Sequence, residues 1–285
     1  MIKLPEPRNK RMVLGGGDVK IAVQQWGKAN GFPILFIHAF SQSHLAWWQQ
    51  IAGRLSLQFN LTTFDNRGHG NSAKPEGIEP YTNGDLYADD IKAVISKCKL
   101  KRPIIVAWSI GGVILGDYLA KYGDQNVSGI VYLGAAHQLG IEPGYVGSAF
   151  AEKAVGMLSN DLATNVAATI AVGEQVTAKS TDPSTFTFII ATNMVVPTHV
   201  RAGMLRRKVD HITNTLPKVL VPSRFIHGSK DQIVLLASSE AAAAASPNSK
   251  LIILNGVGHA PHIEAAEALA TELEHLVSEL GEGEG

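Results

Sequence analysis

Cysteine is almost missing from this 285-residue chain. Cys98 stands alone, so no intramolecular disulfide can form, and no set of Cys and His has the spacing of a structural zinc site. An exported disulfide scaffold is excluded, and no metal or other cofactor is implied. Charge is scarce as well: 18% of the residues are charged, and 25 Lys and Arg balance 25 Asp and Glu. That leaves no long-range field to attract a phosphate backbone or an anionic lipid surface, so nucleic acid is not an expected partner. Long apolar runs are missing too. The longest, from Pro103 to Gly116, is interrupted by Ser109 and three glycines and falls short of the roughly 20 residues of a membrane span. The first eleven residues hold Lys3, Glu6, Arg8, Lys10, Arg11 and two prolines, which is not a signal peptide and makes the cytoplasm the expected compartment. A neutral average says nothing about a local dimer patch, so the oligomeric state, homodimer included, stays open.

What is present is a large apolar fraction, 45% of the chain, enough for a sizeable core without staples. Val13-Leu14 and Val19 to Val23 flank Gly15-Gly16-Gly17-Asp18, an opening β-hairpin whose glycines supply a turn. Apolar runs Pro33 to His38, Leu61 to Phe64, Ile104 to Trp108 and Gly129 to Leu133 then alternate with helix-like stretches Leu45 to Leu57, Asp85 to Lys97 and Val113 to Lys121. This β-α-β-α rhythm predicts an α/β fold with a mostly parallel sheet covered by helices. The rhythm resumes with Ser223 to His227, Leu236 to Ala245, Lys250 to Leu254 and a last helix from about Ala265 to Leu280. The interval between is too long for an ordinary connection. The expected organisation is a core in two parts, 1–134 and 217–280, interrupted by a mainly helical cap at 135–216, with a flexible tail at 281–285.

The sharpest local signal is Val106-Ala107-Trp108-Ser109-Ile110-Gly111-Gly112, set between an apolar strand and an apolar helix. A serine on a tight strand-to-helix turn is thrust above the sheet, and small residues two before and two after it let strand and helix approach. Downstream, the strand ending at His227 runs into Gly228-Ser229-Lys230-Asp231, and the strand ending at Leu254 into Asn255-Gly256-Val257-Gly258-His259. Both loops fall at the carboxyl edge of the sheet, where such folds bind ligands. A serine hydroxyl is a weak nucleophile until an imidazole takes its proton, and the imidazole needs a carboxylate to fix its tautomer. Ser109, Asp231 and His259 are the candidates for these roles. His262 is the rival base and Asp210 the rival acid. The remaining histidines are scattered with no metal spacing.

With Phe36-Ile37-His38-Ala39-Phe40 and Phe64-Asp65-Asn66-Arg67-Gly68-His69-Gly70-Asn71-Ser72, these motifs make the chain resemble the α/β-hydrolase family over almost its whole length. The resemblance implies an α/β-hydrolase fold, a Ser109–His259–Asp231 triad, and an oxyanion hole from the backbone N–H groups of Phe40 and Ile110. Ala39 and Ala107 stand where the family usually has glycine, which bears on rate and acyl size. The apolar cap implies a pocket for an uncharged substrate, with His38, Trp47, Trp108, Met157, Met194 and Val195 as candidate lining. The expected activity is hydrolysis of a small-to-medium apolar carboxylic ester or lactone. Carbon-carbon bond hydrolysis, cofactor-free perhydrolase or haloperoxidase chemistry, and a slow-turnover ligand receptor remain as alternatives, since the fold does not choose among them.

Overall fold

The computed structural model describes residue 2 and residues 4–141 and 144–282. The chain opens with an antiparallel hairpin of β1 (Asn9–Leu14) and β2 (Lys20–Gly27), Leu14 opposite Lys20, around the glycine-rich turn. Then follow β3 (Pro33–Ile37), β4 (Asn60–Phe64), β5 (Ile104–Trp108), β6 (Gly129–Leu133), the short β7 (Gln138–Leu139) and β8 (Val209–Asp210), and finally β9 (Ser223–Gly228) and β10 (Ser249–Leu254). Eight of these form one sheet in the order β1-β2-β4-β3-β5-β6-β9-β10, parallel from β4 to β10. The chain winds outward in opposite directions from β3 and β5, so the carboxyl ends of these two neighbours form the switch point of the sheet. Every residue of β5 and β6 is buried, as a strand covered on both faces requires.

The covering helices follow from sequence pattern. In Gly84–Lys97 the side chain of Asn83 accepts from Asp85 N at the start, and Tyr87, Ala88, Ile91, Val94 and Ile95 recur three or four residues apart on the buried face. It packs against Gly111–Tyr122, which descends from the end of β5. The expected single helix from Leu45 to Leu57 is instead three short turns, His44–Trp47, Trp48–Ala52 and Leu55–Gln58. Gly53 at its middle is extended, with φ −92° and ψ −170°, a conformation no helix interior accommodates.

Between β6 and β9 the chain leaves the sheet. β7 and β8 pair antiparallel at the base of this excursion, and four helices lie between them: Ser148–Gly156, Leu162–Gly173, Pro183–Met194 and Thr198–Leu205. Asp161 and Asp182 cap the second and third, Asp161 accepting from Thr164 N and Asp182 from Ser184 N and Thr185 N in the first turn. Residues 142 and 143 of the expected cap lie outside the described residues. The last helix, Ala266–Glu282, runs through the first two residues of the expected tail; residues 283–285 lie outside the described residues. No helix among the described residues is long and apolar enough to cross a membrane.

Candidate active site

Ser109 follows β5 directly and adopts φ +56°, the left-handed region that costs a non-glycine residue roughly 1–2 kcal/mol. The turn is held on three sides: Ser109 N donates to Leu133 O at 3.0 Å, and its carbonyl accepts from Gly112 N at 2.9 Å and Ala136 N at 3.0 Å. The helix beginning at Gly111 can approach the sheet this closely because Gly112 has no side chain. A Cβ there would stand 2.6 Å from Ala136 O. Ala107, which stands where the family usually has glycine, is fully buried in register with Ile37 and Tyr132, so its methyl is accommodated within the strand.

The acid and the histidine arrive from the two strands at the far side of the sheet. Asp231 Oδ1 accepts from Ile233 N at 2.8 Å and Val234 N at 3.0 Å, which fixes the carboxylate. Its Oδ2 accepts from His259 Nδ1 at 2.8 Å, leaving His259 Nε2 as the free ring nitrogen. Trp108 braces the histidine from below, its indole Nε1 donating to His259 O at 2.8 Å. Gly134, at φ +45°, leaves room for the pair: a Cβ there would lie 2.9 Å from Asp231 Oδ2 and 3.3 Å from His259 Nδ1. Sequence reasoning passed over Gly134, although a glycine directly after a buried strand was a visible signal. Ser109 and His259 face one small chamber without a direct hydrogen bond, a contact that in unliganded sites is often long and tightens with substrate.

Two cavities meet at Ser109. The larger, about 300 Å³, is bounded by Phe40, Ser109, Ile110, Ile233 and Val234 from the sheet side, and by Phe150, Ala154, Val155 and Leu158 from the helical insertion. The smaller, about 30 Å³, is lined by Ala39, Gln42, Trp108, His259 and Asn193, and shares Phe40, Ser109 and Phe150 with the first. The Phe40 and Ile110 N–H groups have no hydrogen-bond acceptor among the described residues, and both residues flank Ser109 on the wall of the larger cavity. Of the six side chains expected to line a pocket, Trp108 lines the smaller cavity. His38, Trp47, Met157, Met194 and Val195 line neither. Trp47 is buried beneath, against Phe36, Trp108 and His262; Met157 is buried within the insertion; Val195 ends a helix facing solvent, 57% exposed, with Met194 half-buried beside it. The residues that do line the larger cavity, Phe150, Ala154 and Leu158, stand four apart along and just past one helix, a stripe readable in the sequence.

The loops around the site rest on buried polar groups. His38 Nδ1 donates to Ala39 O at 2.8 Å, and its Nε2 accepts from Asn66 N at 2.9 Å; burial lowers its pKa from 6.5 to about 4, so it is a neutral strut. His262 is fully buried between Trp47 and Trp108, with both ring nitrogens unpartnered and burial lowering its pKa to about 3. No carboxylate orients it, unlike His259. Asp210 accepts from Thr213 N in the neck of the insertion, and lines an open groove with Arg207 and Lys208 rather than either cavity at Ser109. Arg67 grips Asp90 through two bonds of 2.7 and 2.8 Å in a fully buried pair, which fixes the turn after β4.

A sequence profile of the alpha/beta hydrolase fold matches residues 33–266. Among solved structures, the esterase RhEst1 from Rhodococcus sp. ECU1013 superposes with a TM-score of 0.88 at 27% identity, over 95% of this chain and 99% of that one. The non-heme chloroperoxidase CPO-A1 of Kitasatospora aureofaciens is 26% identical over 261 residues, 85% of this chain and 89% of the relative. The bifunctional esterase/perhydrolase DCH of Acinetobacter calcoaceticus is 26% identical over 264 residues, 90% and 95% of the respective chains.

Proposed function

The chain belongs to the α/β-hydrolase family, and on that premise we propose that it is a serine hydrolase cleaving small-to-medium apolar carboxylic esters, with lactones of like size as the cyclic variant. The observation that carries the reading is the 2.8 Å bond between His259 Nδ1 and Asp231, with the histidine facing the same chamber as a serine on a strained strand-to-helix turn. In the proposed reaction Ser109 Oγ attacks the ester carbonyl while His259 Nε2 takes its proton, and Asp231 stabilises the imidazolium. The oxyanion accepts from the N–H groups of Phe40 and Ile110. His259 then returns the proton to the leaving alcohol, and a water activated in the same way releases the acid. The apolar cavity of about 300 Å³ supports an uncharged acyl group as its occupant.

The test is intact-mass analysis after treatment with a small fluorophosphonate, wild type beside Ser109→Ala. A single adduct on the wild type and none on the variant is expected. Folded wild-type protein that stays unlabelled refutes the reading.

A second reading is favoured by the chamber beside His259. Its space for a small molecule, about 30 Å³, exceeds the roughly 10–15 Å³ a cavity needs to hold one water, so hydrogen peroxide fits beside His259. In that reading the acyl-enzyme passes its acyl group to peroxide and releases a peracid, without a cofactor. Peracid formation from a simple ester and hydrogen peroxide, measured against free acid in one reaction, separates the two activities.

A further inference from the structure

Arg201 is 1% exposed, and no Asp or Glu among the described residues pairs with it. Burial alone lowers its pKa, to about 10. A buried guanidinium without a counter-ion persists only where neutral acceptors satisfy its rigid fork, and here the acceptors come from distant parts of the chain. Nη1 donates to Met157 O at 2.9 Å and to Asn165 Oδ1 at 3.0 Å, and Nη2 to Asn193 O at 2.6 Å. Arg201 itself sits on the fourth helix of the insertion, so one side chain joins all four. Its remaining hydrogen bond leaves the insertion: Nε donates to Ser41 Oγ at 2.8 Å.

Ser41 is fully buried and adopts φ +55°, a strained conformation for serine that persists only when its surroundings impose it. It directly follows Phe40, whose N–H is one donor of the proposed oxyanion hole. We propose that Arg201 is a positioning residue: by gripping Ser41 it sets the Phe40 amide, so that docking of the helical insertion and assembly of the oxyanion hole are one event. The proposal rests on the serine-hydrolase reading, because it assigns Arg201 a task only if Phe40 N–H receives an oxyanion. A second contact works in the same direction, Thr192 Oγ1 donating to Gln42 Oε1 at 3.2 Å, but it is longer, neutral and one residue further from the amide.

The consequence is kinetic. Loss of an oxyanion donor costs about 10²–10³ in kcat, and a misplacement of about 1 Å costs on the order of 10². Ser41→Ala removes the acceptor that Arg201 grips on the loop and leaves the three bonds of Arg201 within the insertion in place. It is expected to lower kcat and the fluorophosphonate labelling rate about 10- to 100-fold, with KM within about twofold and the fold intact by circular dichroism. Arg201→Lys keeps the charge but loses the fork, and should fall by a like factor. The double variant should be no slower than the slower single, because both substitutions cut the same link.

The wild type is labelled in the same experiment. If it labels at Ser109 while Ser41→Ala keeps wild-type kcat and labelling rate, or changes only KM, the positioning role is wrong and the hydrolase reading stands. Multiplicative losses in the double variant also overturn the shared link. If the wild type does not label, both fall together. Should Arg201→Lys fail to fold, Ser41→Ala alone decides.

Discussion

The two cavities at Ser109 predict an asymmetric substrate. The leaving oxygen has to come within reach of His259, and His259 lines only the chamber of about 30 Å³; the acyl chain is then left with the apolar cavity of about 300 Å³. Each methylene moved from water into that cavity contributes about 0.8 kcal/mol, or roughly fourfold in kcat/KM at about 1.4 kcal/mol per decade. The larger cavity offers about ten times the space of the smaller one. A series of straight-chain methyl esters should therefore gain about fourfold in kcat/KM per acyl methylene until the chain fills the cavity, and level off there. Lengthening the alcohol of a fixed acyl group beyond ethyl should bring no gain and then a loss. Ala154 is buried on the wall of the larger cavity, so Ala154→Leu, which adds three carbons, should shift the optimum down by about that number. The assay is initial-rate hydrolysis followed by acid release at fixed pH. If kcat/KM climbs with the alcohol and stays flat with the acyl chain, the assignment of the two chambers is refuted.

Replacing Asp231 by Asn keeps an acceptor for the Ile233 and Val234 amides but cannot hold the required tautomer of His259, so kcat should fall about 10⁴-fold while the variant still folds. Gly134→Ala would put a methyl 2.9 Å from Asp231 Oδ2 at a residue with φ +45°; kcat should drop on the order of 10²-fold with Tm lowered as well, and an unchanged kcat would mean that the pair has room to shift. Asp90→Ala leaves the Arg67 guanidinium buried and unpaired, and urea unfolding should show a loss of about 3–5 kcal/mol. His38, His69, His137 and His262 are buried, with pKa values lowered by burial from 6.5 to about 4, 3, 3 and 3. Their folded-state values lie below the unfolded one, so only the unfolded chain takes up their protons as pH falls through 6.5, and stability declines toward pH 4. Each contributes about 2 kcal/mol of loss between pH 7 and pH 5. His137, packed on Tyr132 and Phe225 with both ring nitrogens unpartnered, is the one to test: His137→Phe should make the decline shallower by that amount, and parallel curves for variant and wild type would contradict it.

Why the site's centre was legible in the sequence and its walls were not follows from what each is made of. Ser109, Asp231 and His259 stand on turns that leave parallel strands of the sheet, and such turns need small residues at fixed offsets, so backbone geometry writes itself into a short local pattern. The proposed oxyanion donors are main-chain groups, Ile110 on the Ser109 turn and Phe40 in the loop after β3, so they need no side-chain signal of their own. Much of the wall comes from the insertion, whose helices Leu162–Gly173 and Pro183–Met194 are mostly apolar or small residues. Which face of Leu162–Gly173 or Pro183–Met194 meets the site is decided by how four helices dock, and composition is silent on that. Met194 and Val195 were therefore natural candidates from hydrophobicity, yet the end of their helix turns outward. The Leu45 to Leu57 stretch failed for a local reason: its apolar spacing was helical, but one glycine in the extended region outweighed it.

Arg201 marks the far limit of such reading. Nothing near it in the sequence distinguishes it from the neighbouring Arg206 and Arg207, which read equally well as a solvated face, and its isolation from every acid is visible only once the fold has closed around it. Arg207 does find a carboxylate, Asp117, at 2.6 Å, and becomes a buried ion pair. Among the described residues Arg201 finds only carbonyls, an amide and a hydroxyl. A charge kept in the interior without a partner is costly, and an apolar residue of similar volume would fill the space with less penalty. The bond to strained Ser41 is the one hydrogen bond of the Arg201 side chain among the described residues that reaches outside the insertion, and Ser41 adjoins the residue whose amide the proposed reaction requires. The burial of this charge is thus explained by positioning of the loop, a task that a hydrophobic side chain of equal size would leave undone.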